Sequence, residues 1–210
     1  MCRADPLCYV VCKRTMDMAV SAVCLLLFAP AMFAIAATTW IRSGRQVLLR
    51  QERVGRDGRR FLMCKFRSLP VEALAESDRQ WVVEAPDGWG RFMRRTGLDE
   101  LPQLFNVLLG DMTLVGPRPE RPHFVELLRR EVPSYAARHQ ARPGITGWAQ
   151  IHGLRGDTSI PRRVEYDLYY LQHRSMAFDF RILWTTAKIF WRLLVEPLAE
   201  ARGVPDARSV

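Results

Sequence analysis

RRTGLDELPQLFNVLLGDMTLVGPRPE, residues 94–120, sets two adjacent carboxylates, Asp99 and Glu100, between a pair of arginines and a Gly-Pro-Arg-Pro turn. Beyond them Leu101, Leu104, Phe105 and Leu108 recur at i, i+3, i+4 and i+7, which predicts a helix with one apolar face. Pro102 is tolerated in a first turn, and Gly110 is a suitable stop. Asp99 and Glu100 are therefore expected at a helix N-terminus. An aspartate there is ordinarily a cap. The same place offers free N–H groups and the positive end of the helix dipole, both of which favour an incoming phosphate. A divalent cation would let the carboxylates and a phosphate approach without mutual repulsion. Cap and nucleophile thus compete for Asp99.

The residues that follow, GPRPERP at 116–122, pin their backbone with three prolines while presenting Arg118 and Glu120. This is either a rigid connection or a device that holds an arginine for bidentate contact with phosphate, where a planar fork outperforms lysine. Next come a helix expected over 124–130 and the loop ARPGITGWAQIHGLRGDT at 141–158. Its glycines and polar side chains suit a ligand-enclosing loop, and His152 within it reads as structural rather than catalytic. The tail, 179–198, mixes Phe180, Trp184, Phe190 and Trp191 with Arg181, Lys188 and Arg192, a composition fitting either a core helix or one at a membrane interface.

Upstream, QVLLRQERVG and RRFLMCKFRSL read as two strands around Arg56-Asp57-Gly58, since Asp-Gly between apolar runs is a strong hairpin signal. The polar stretch 71–88 reads as a short helix and a loop, or as a lid. Further upstream still, residues 18–41 carry no charge. At ~1.5 Å per residue such a helix is long enough for a ~30 Å hydrocarbon core. A cleaved signal peptide, a straight transmembrane helix and a re-entrant helix that enters and leaves by one face all compete for it. Pro30 in mid-run favours a kink. Lys13 and Arg14 before the run, with Arg42 and Arg45 after it, favour both ends on the cytoplasmic side.

The chain of 210 residues suits one domain, and its formal net charge of +9 suits anionic partners. Between 42 and 67 nine basic residues face only Glu52 and Asp57. Such a run is a solvated face or an anion-binding one. Five cysteines without metal-ligand spacing argue against a disulfide framework or a zinc site and fit a reducing compartment. Charge alone would also permit a nucleic-acid binder, but the uncharged run at 18–41 counts against it.

KFRS (65–68), the 94–120 stretch, RPGITGWAQIHGLRGDT and RRVEYDLYYLQHRS (162–175) occur in order and resemble the bacterial sugar transferase family, the monotopic polyprenyl-phosphate phosphoglycosyl transferases. The likeness runs from about residue 13 to 192. It implies a single compact α+β catalytic domain (42–210) behind an N-terminal segment (1–41) with a re-entrant membrane helix broken at Pro30, helped by interfacial amphipathic helices. It further implies an enzyme on the cytoplasmic face of the bacterial inner membrane. That enzyme would pass sugar-1-phosphate from a UDP-sugar to a polyprenyl phosphate such as undecaprenyl phosphate and so initiate glycan assembly.

By the resemblance Asp99 is the nucleophile that forms an acyl-phosphate and releases UMP, and Glu100 helps to hold Mg2+ or to move a proton, with both carboxylates as metal ligands. Lys65, Arg67, Arg94, Arg95, Arg118 and Arg142 are the candidates to neutralise phosphoryl charge. Glu120, Arg155 and Asp157 complete the expected substrate contacts. Membrane lipids are expected partners, nucleic acid is not, and a homo-oligomer is compatible. A catalytically silent scaffold that keeps the fold is the rival reading. Two residues depart from the family's habit: Ala29 stands where a serine commonly precedes the proline, and Gly97 stands where Ser or Thr often precedes Leu-Asp-Glu.

Overall fold

A computed structural model describes residues 7–69, 88–156 and 158–200. The expected helix and loop at 71–88 fall almost wholly outside these residues, as does Asp157. The chain opens with α1 (Leu7–Ser43), a continuous helix of 37 residues that contains Pro30. At ~1.5 Å per residue it is about 55 Å long. It is long and apolar enough to cross a membrane by length and composition.

This helix does not stand apart from the rest. Asp17, Ser21, Ile35 and Thr39 recur at intervals that keep them on one stripe, and all four are buried. Val20, Cys24 and Leu25 pack on the central core of Met63, Leu104, Val107 and Ile182, while Ile35 joins Phe66 and Met93 in a second cluster. Leu26, Leu27, Phe33 and Ile41 are exposed. Polar anchors fix the near end. Lys13 pairs with Asp179 at 2.7 Å. Arg14 donates to the carbonyls of Val107 and Leu108 at 2.6 and 2.8 Å, closing the C-terminus of a helix whose last carbonyls lack partners within it.

The expected hairpin is present. Strands β1 (Leu48–Val54) and β2 (Arg60–Phe66) pair antiparallel with Gln51 opposite Met63, and a 3-10 turn at Arg56–Gly58 joins them. Asp57 and Gly58 both take positive φ there, 55° and 77°, which is why an Asp-Gly pair suits it. Helix α2 (Gly88–Thr96) leads to a 3-10 turn, Leu98–Glu100, and then α3 (Gln103–Leu109). Asn106 joins α3 to the hairpin. Its buried side chain accepts from the Cys64 amide at 2.9 Å and donates to the Leu62 carbonyl at 2.8 Å, so β2 finds on a helix the partners that a third strand would supply.

Strand β3 (Thr113–Val115) pairs in parallel with β4 (Gly144–Thr146). Between them lie α4 (Pro122–Glu131), matching the helix expected at 124–130, and a 3-10 stretch, Tyr135–Gln140. Helices α5 (Trp148–Ile151), α6 (Ile160–His173) and α7 (Met176–Glu200) complete the chain. The α7 helix contributes to the core on one face, as one of the two readings expected. Ile182 and Asp179 are buried, while Phe180, Trp184, Trp191 and Val195 are exposed on it. The result is an α+β fold with two small sheets.

Candidate active site

Asp99 and Glu100 end the 3-10 turn that precedes α3, so they lie one turn ahead of the position expected for them. Neither caps α3: Pro102 occupies that place and no side chain bonds there. Among the described residues no hydrogen bond occupies the Asp99 carboxylate, although Asp99 is only 6 % exposed. The cap reading of Asp99 therefore falls. Gly97 begins the turn with φ 76°, in the left-handed region, and a Cβ there would meet open space. What requires glycine is thus the backbone conformation and not crowding.

Burial pushes the Asp99 carboxyl up to about 7, and the neighbouring Glu100 charge adds to the rise. Lys65, Arg94 and Arg118 pull the other way without cancelling it. An ordinary carboxylate would be fully ionised at neutral pH; burial and the Glu100 charge hold back the ionisation of this one. Glu100 behaves oppositely. Burial raises it, but the Arg118 guanidinium more than compensates and leaves it below the usual range. Arg118 grips both Glu100 oxygens, one at 3.1 Å and the other closer still, in the bidentate fork for which arginine is suited. Two adjacent carboxylates are thereby driven apart in proton affinity.

The cations come from separate elements. Lys65 lies on β2, where burial and then Arg53 lower it to about 8. Arg94 on α2 donates through Nε to Ser68 Oγ at 2.9 Å. Arg155 adds its charge near Glu100. Sequence reasoning anticipated all of these.

Arg118 is held from beneath by groups that it missed. Arg138 donates to the Arg118 carbonyl at 2.9 Å, to the Tyr135 hydroxyl at 3.0 Å, and pairs with buried Asp167 at 2.6 Å. Arg53 donates to the Pro119 carbonyl at 3.1 Å. Backbone contacts lock the turn as well: the Gly116 amide donates to the Thr146 carbonyl and the Gly144 amide to the Pro117 carbonyl, each at 2.9 Å. A Cβ on Gly144 would meet Gly116 N at 2.1 Å, so this glycine permits the close approach of the two loops.

The remaining expected residues lie elsewhere. Glu120 is buried between Arg163 at 3.1 Å and Arg53 at 3.5 Å, a supporting position beneath Arg118. Arg67 is buried just after β2, its amide bonded to the Val47 carbonyl at 2.9 Å. Arg95 is exposed on α2. Arg142 is not gathered at Asp99: the charges that act on it are those of Arg14, Arg56 and Asp17. His152 sits beside Trp148 and shares a hydrogen bond with the Trp148 carbonyl at 2.8 Å. Among the described residues no three His, Cys, Asp or Glu side chains gather to hold a metal unaided. Cys8, Cys12, Cys24 and Cys64 are free thiols.

The sequence model of the family described as bacterial sugar transferase matches residues 8–192. The UDP-N-acetylgalactosamine-undecaprenyl-phosphate N-acetylgalactosaminephosphotransferase of Aeromonas hydrophila is 40 % identical over 188 residues, 86 % of this chain and 44 % of the relative. The UDP-glucose:undecaprenyl-phosphate glucose-1-phosphate transferase of Escherichia coli (strain K12) is 41 % identical over 184 residues, 83 % of this chain and 39 % of the relative. The chain thus spans less than half the length of these two relatives. It covers 93 % of the exopolysaccharide production protein PSS of Rhizobium leguminosarum bv. phaseoli at 39 % identity, the match taking in 84 % of this chain.

Proposed function

Because this chain belongs to the bacterial sugar transferase family, we propose that it moves sugar-1-phosphate from a UDP-sugar to undecaprenyl phosphate, with Asp99 as the nucleophile. The observation that supports this best is the buried Asp99 carboxyl, unoccupied by any hydrogen bond among the described residues and surrounded by Lys65, Arg94 and Arg118. A structural aspartate so placed would be paired off; this one is kept available. Relatives are named for glucose, galactose and N-acetylgalactosamine transfer, so the proposal does not extend to one donor sugar.

In the proposed reaction an Asp99 oxygen attacks the sugar-bearing phosphorus. The bond from that phosphorus to the bridging oxygen breaks, UMP leaves with the electron pair, and an aspartyl-phosphosugar remains. An oxygen of the lipid phosphate then attacks the same phosphorus, giving the lipid diphosphosugar and freeing Asp99. Splitting one displacement into two is what a covalent nucleophile contributes. Arg118, Lys65 and Arg94 offset the charge that builds on the phosphoryl oxygens. Glu100 holds the Arg118 fork in place. It also withholds ionisation from Asp99 until positive charge accompanies the substrate.

Asp99 and the outer lone pairs of Glu100 form a hard-oxygen donor set that fits Mg2+ carried on a diphosphate, since such ions are commonly held by one or two carboxylates plus substrate phosphates. The ion would supply charge neutralisation at those phosphates. As to membrane seating, α1 touches the body at both ends of its apolar run, through Asp17 and Ser21 on one side and Ile35 and Thr39 on the other. Both ends of the run are thus kept beside the body, as the re-entrant reading requires, although α1 runs unbroken through Pro30. Labelling of single cysteines at Lys13 and Arg42 should find both in the cytosol; opposite faces would end the re-entrant reading. Purified chain with a UDP-sugar panel and undecaprenyl phosphate should release UMP, and Asp99→Asn should abolish release. Undiminished turnover in that variant removes Asp99 from its role.

A further inference from the structure

A second group of cations shares a cavity away from Asp99. Arg14 on α1, Arg56 in the hairpin turn and Arg142 before β4 line a space of about 60 Å3 between the first turns of α1 and the body, with Lys13 and Arg174 also in its walls. One water needs roughly 10–15 Å3, so the space admits a tetrahedral anion.

The acidic groups nearby offset this charge only in part, one carboxylate, Asp17, favouring the charged form of Arg142 against the neighbouring Arg14 and Arg56. Asp17 is buried and turned to β3, where it accepts from Thr113 Oγ1 at 2.6 Å and the Leu114 amide at 3.1 Å. Lys13 is matched by Asp179 at 2.7 Å. Arg56 pairs with Asp57 at 3.2 Å, but both side chains are more than half exposed, where such a pair contributes little. Arg14 donates to two carbonyls, which leave its charge in place. Arg142 makes no hydrogen bond or ion pair among the described residues, and Arg14 and Arg56 add to the burial that depresses its pKa. Three guanidiniums from distant parts of the chain are thus held close together against their mutual repulsion. That arrangement is one a bound anion relieves.

We propose that the cavity between Arg14, Arg56 and Arg142 is a phosphate-binding site separate from the reaction centre, taking a phosphate carried on a lipid headgroup or free in solution. Its position matches the first source. Lys13 and Arg14 precede by about one turn the uncharged run that begins at Met18, so a seated α1 brings this cavity to headgroup level, where basic residues meet anionic lipid. This last step rests on the membrane reading above; the anion site itself does not.

The test uses calorimetric titration of the full chain in neutral detergent, with inorganic phosphate in one arm and dihexanoyl phosphatidic acid in the other. At least one ligand should show a binding step that persists in Arg118→Gln, apart from any binding at the reaction centre. Arg142→Gln and Arg56→Gln should each weaken it about tenfold or more, as expected for a lost charged hydrogen bond, while Arg118→Gln should leave it unchanged. Binding of phosphate as tight as that of the lipid identifies a free-anion site, and clearly tighter lipid binding identifies a headgroup site. Because Arg56 lies on an exposed turn, its variant keeps the test meaningful should Arg142→Gln fail to fold. Absence of binding by either ligand overturns the proposal, as does binding indifferent to Arg56 and Arg142 or lost with Arg118. UMP release plays no part in the readout, so failure here and failure of the transferase reading are separable.

Discussion

Replacing Glu100 by glutamine should move the acid limb of activity without moving it all the way. In the free protein Asp99 sits at about 7 against an ordinary 3.8. The difference corresponds to roughly 4 kcal/mol against the ionised form. Burial is the larger cause and Glu100 the next. Like charges a few ångströms apart repel by up to about 4 kcal/mol at an effective dielectric of about 20, and about 1.4 kcal/mol of that is already one pH unit. Removing the Glu100 charge also releases Arg118 from its present partner, which acts in the same direction on Asp99. The limb of kcat/KM for UMP release should therefore move from near pH 7 to lower pH by about one unit, whatever happens to the plateau. The plateau itself should drop, because Arg118 loses its clamp. The assay is a pH series of UMP release under subsaturating UDP-sugar, with Asp99→Asn as the blank. A limb that stays near 7 in Glu100→Gln would mean that burial alone sets Asp99, and the division of labour between the two carboxylates would be refuted.

Other consequences concern the frame around the site. Arg138→Met leaves buried Asp167 without its partner and frees the Arg118 carbonyl; removing one member of a buried pair costs about 3–5 kcal/mol, visible as a large fall in thermal midpoint together with lost turnover. Gly97→Ala forces a side chain into φ 76° and should cost about 1–2 kcal/mol, with turnover falling more than stability because the strained turn carries Asp99. His139 is held neutral, pushed down to about 4 by burial and then by Arg138 and Arg129. The unfolded chain binds this proton more readily, so His139 makes stability fall as pH drops from about 6.5 towards 4. Denaturant midpoints across that window should flatten in His139→Gln.

The parts of this fold that were legible in the sequence are those governed by neighbours. Asp57-Gly58 announces the hairpin because the two positive-φ residues are adjacent. The Leu101, Leu104, Phe105 and Leu108 spacing announces α3 because one face of a helix is a local property. What escaped depends on partners far along the chain. Asp17 lies just outside the uncharged run and bonds to residues 96 and 97 positions away. Asn106 looks like an ordinary helix residue until β2 is brought beside it. Arg138 and Asp167, which hold Arg118 in place, stand in stretches with no distinguishing spacing. Arginines were the hardest to sort: Arg94 and Arg118 converge on the carboxylate pair, whereas Arg142, equally plausible by composition, goes to a different cavity. Gly97 is intelligible only once its φ is known.

The packing of α1 along the body also governs how the site meets its surroundings. A helix that shares hydrophobic clusters with the body at both Val20 and Ile35 cannot swing as a tether does. For a protein seated in a bilayer by that helix, the height of Asp99 above the hydrocarbon is a fixed dimension of the molecule, like the offset of a tool clamped to a rail. On the proposed reaction, a lipid-borne phosphate would have to rise to a set level to react. Inserting or deleting a turn within α1 should alter which chain lengths and headgroup depths are accepted before it alters the chemistry itself.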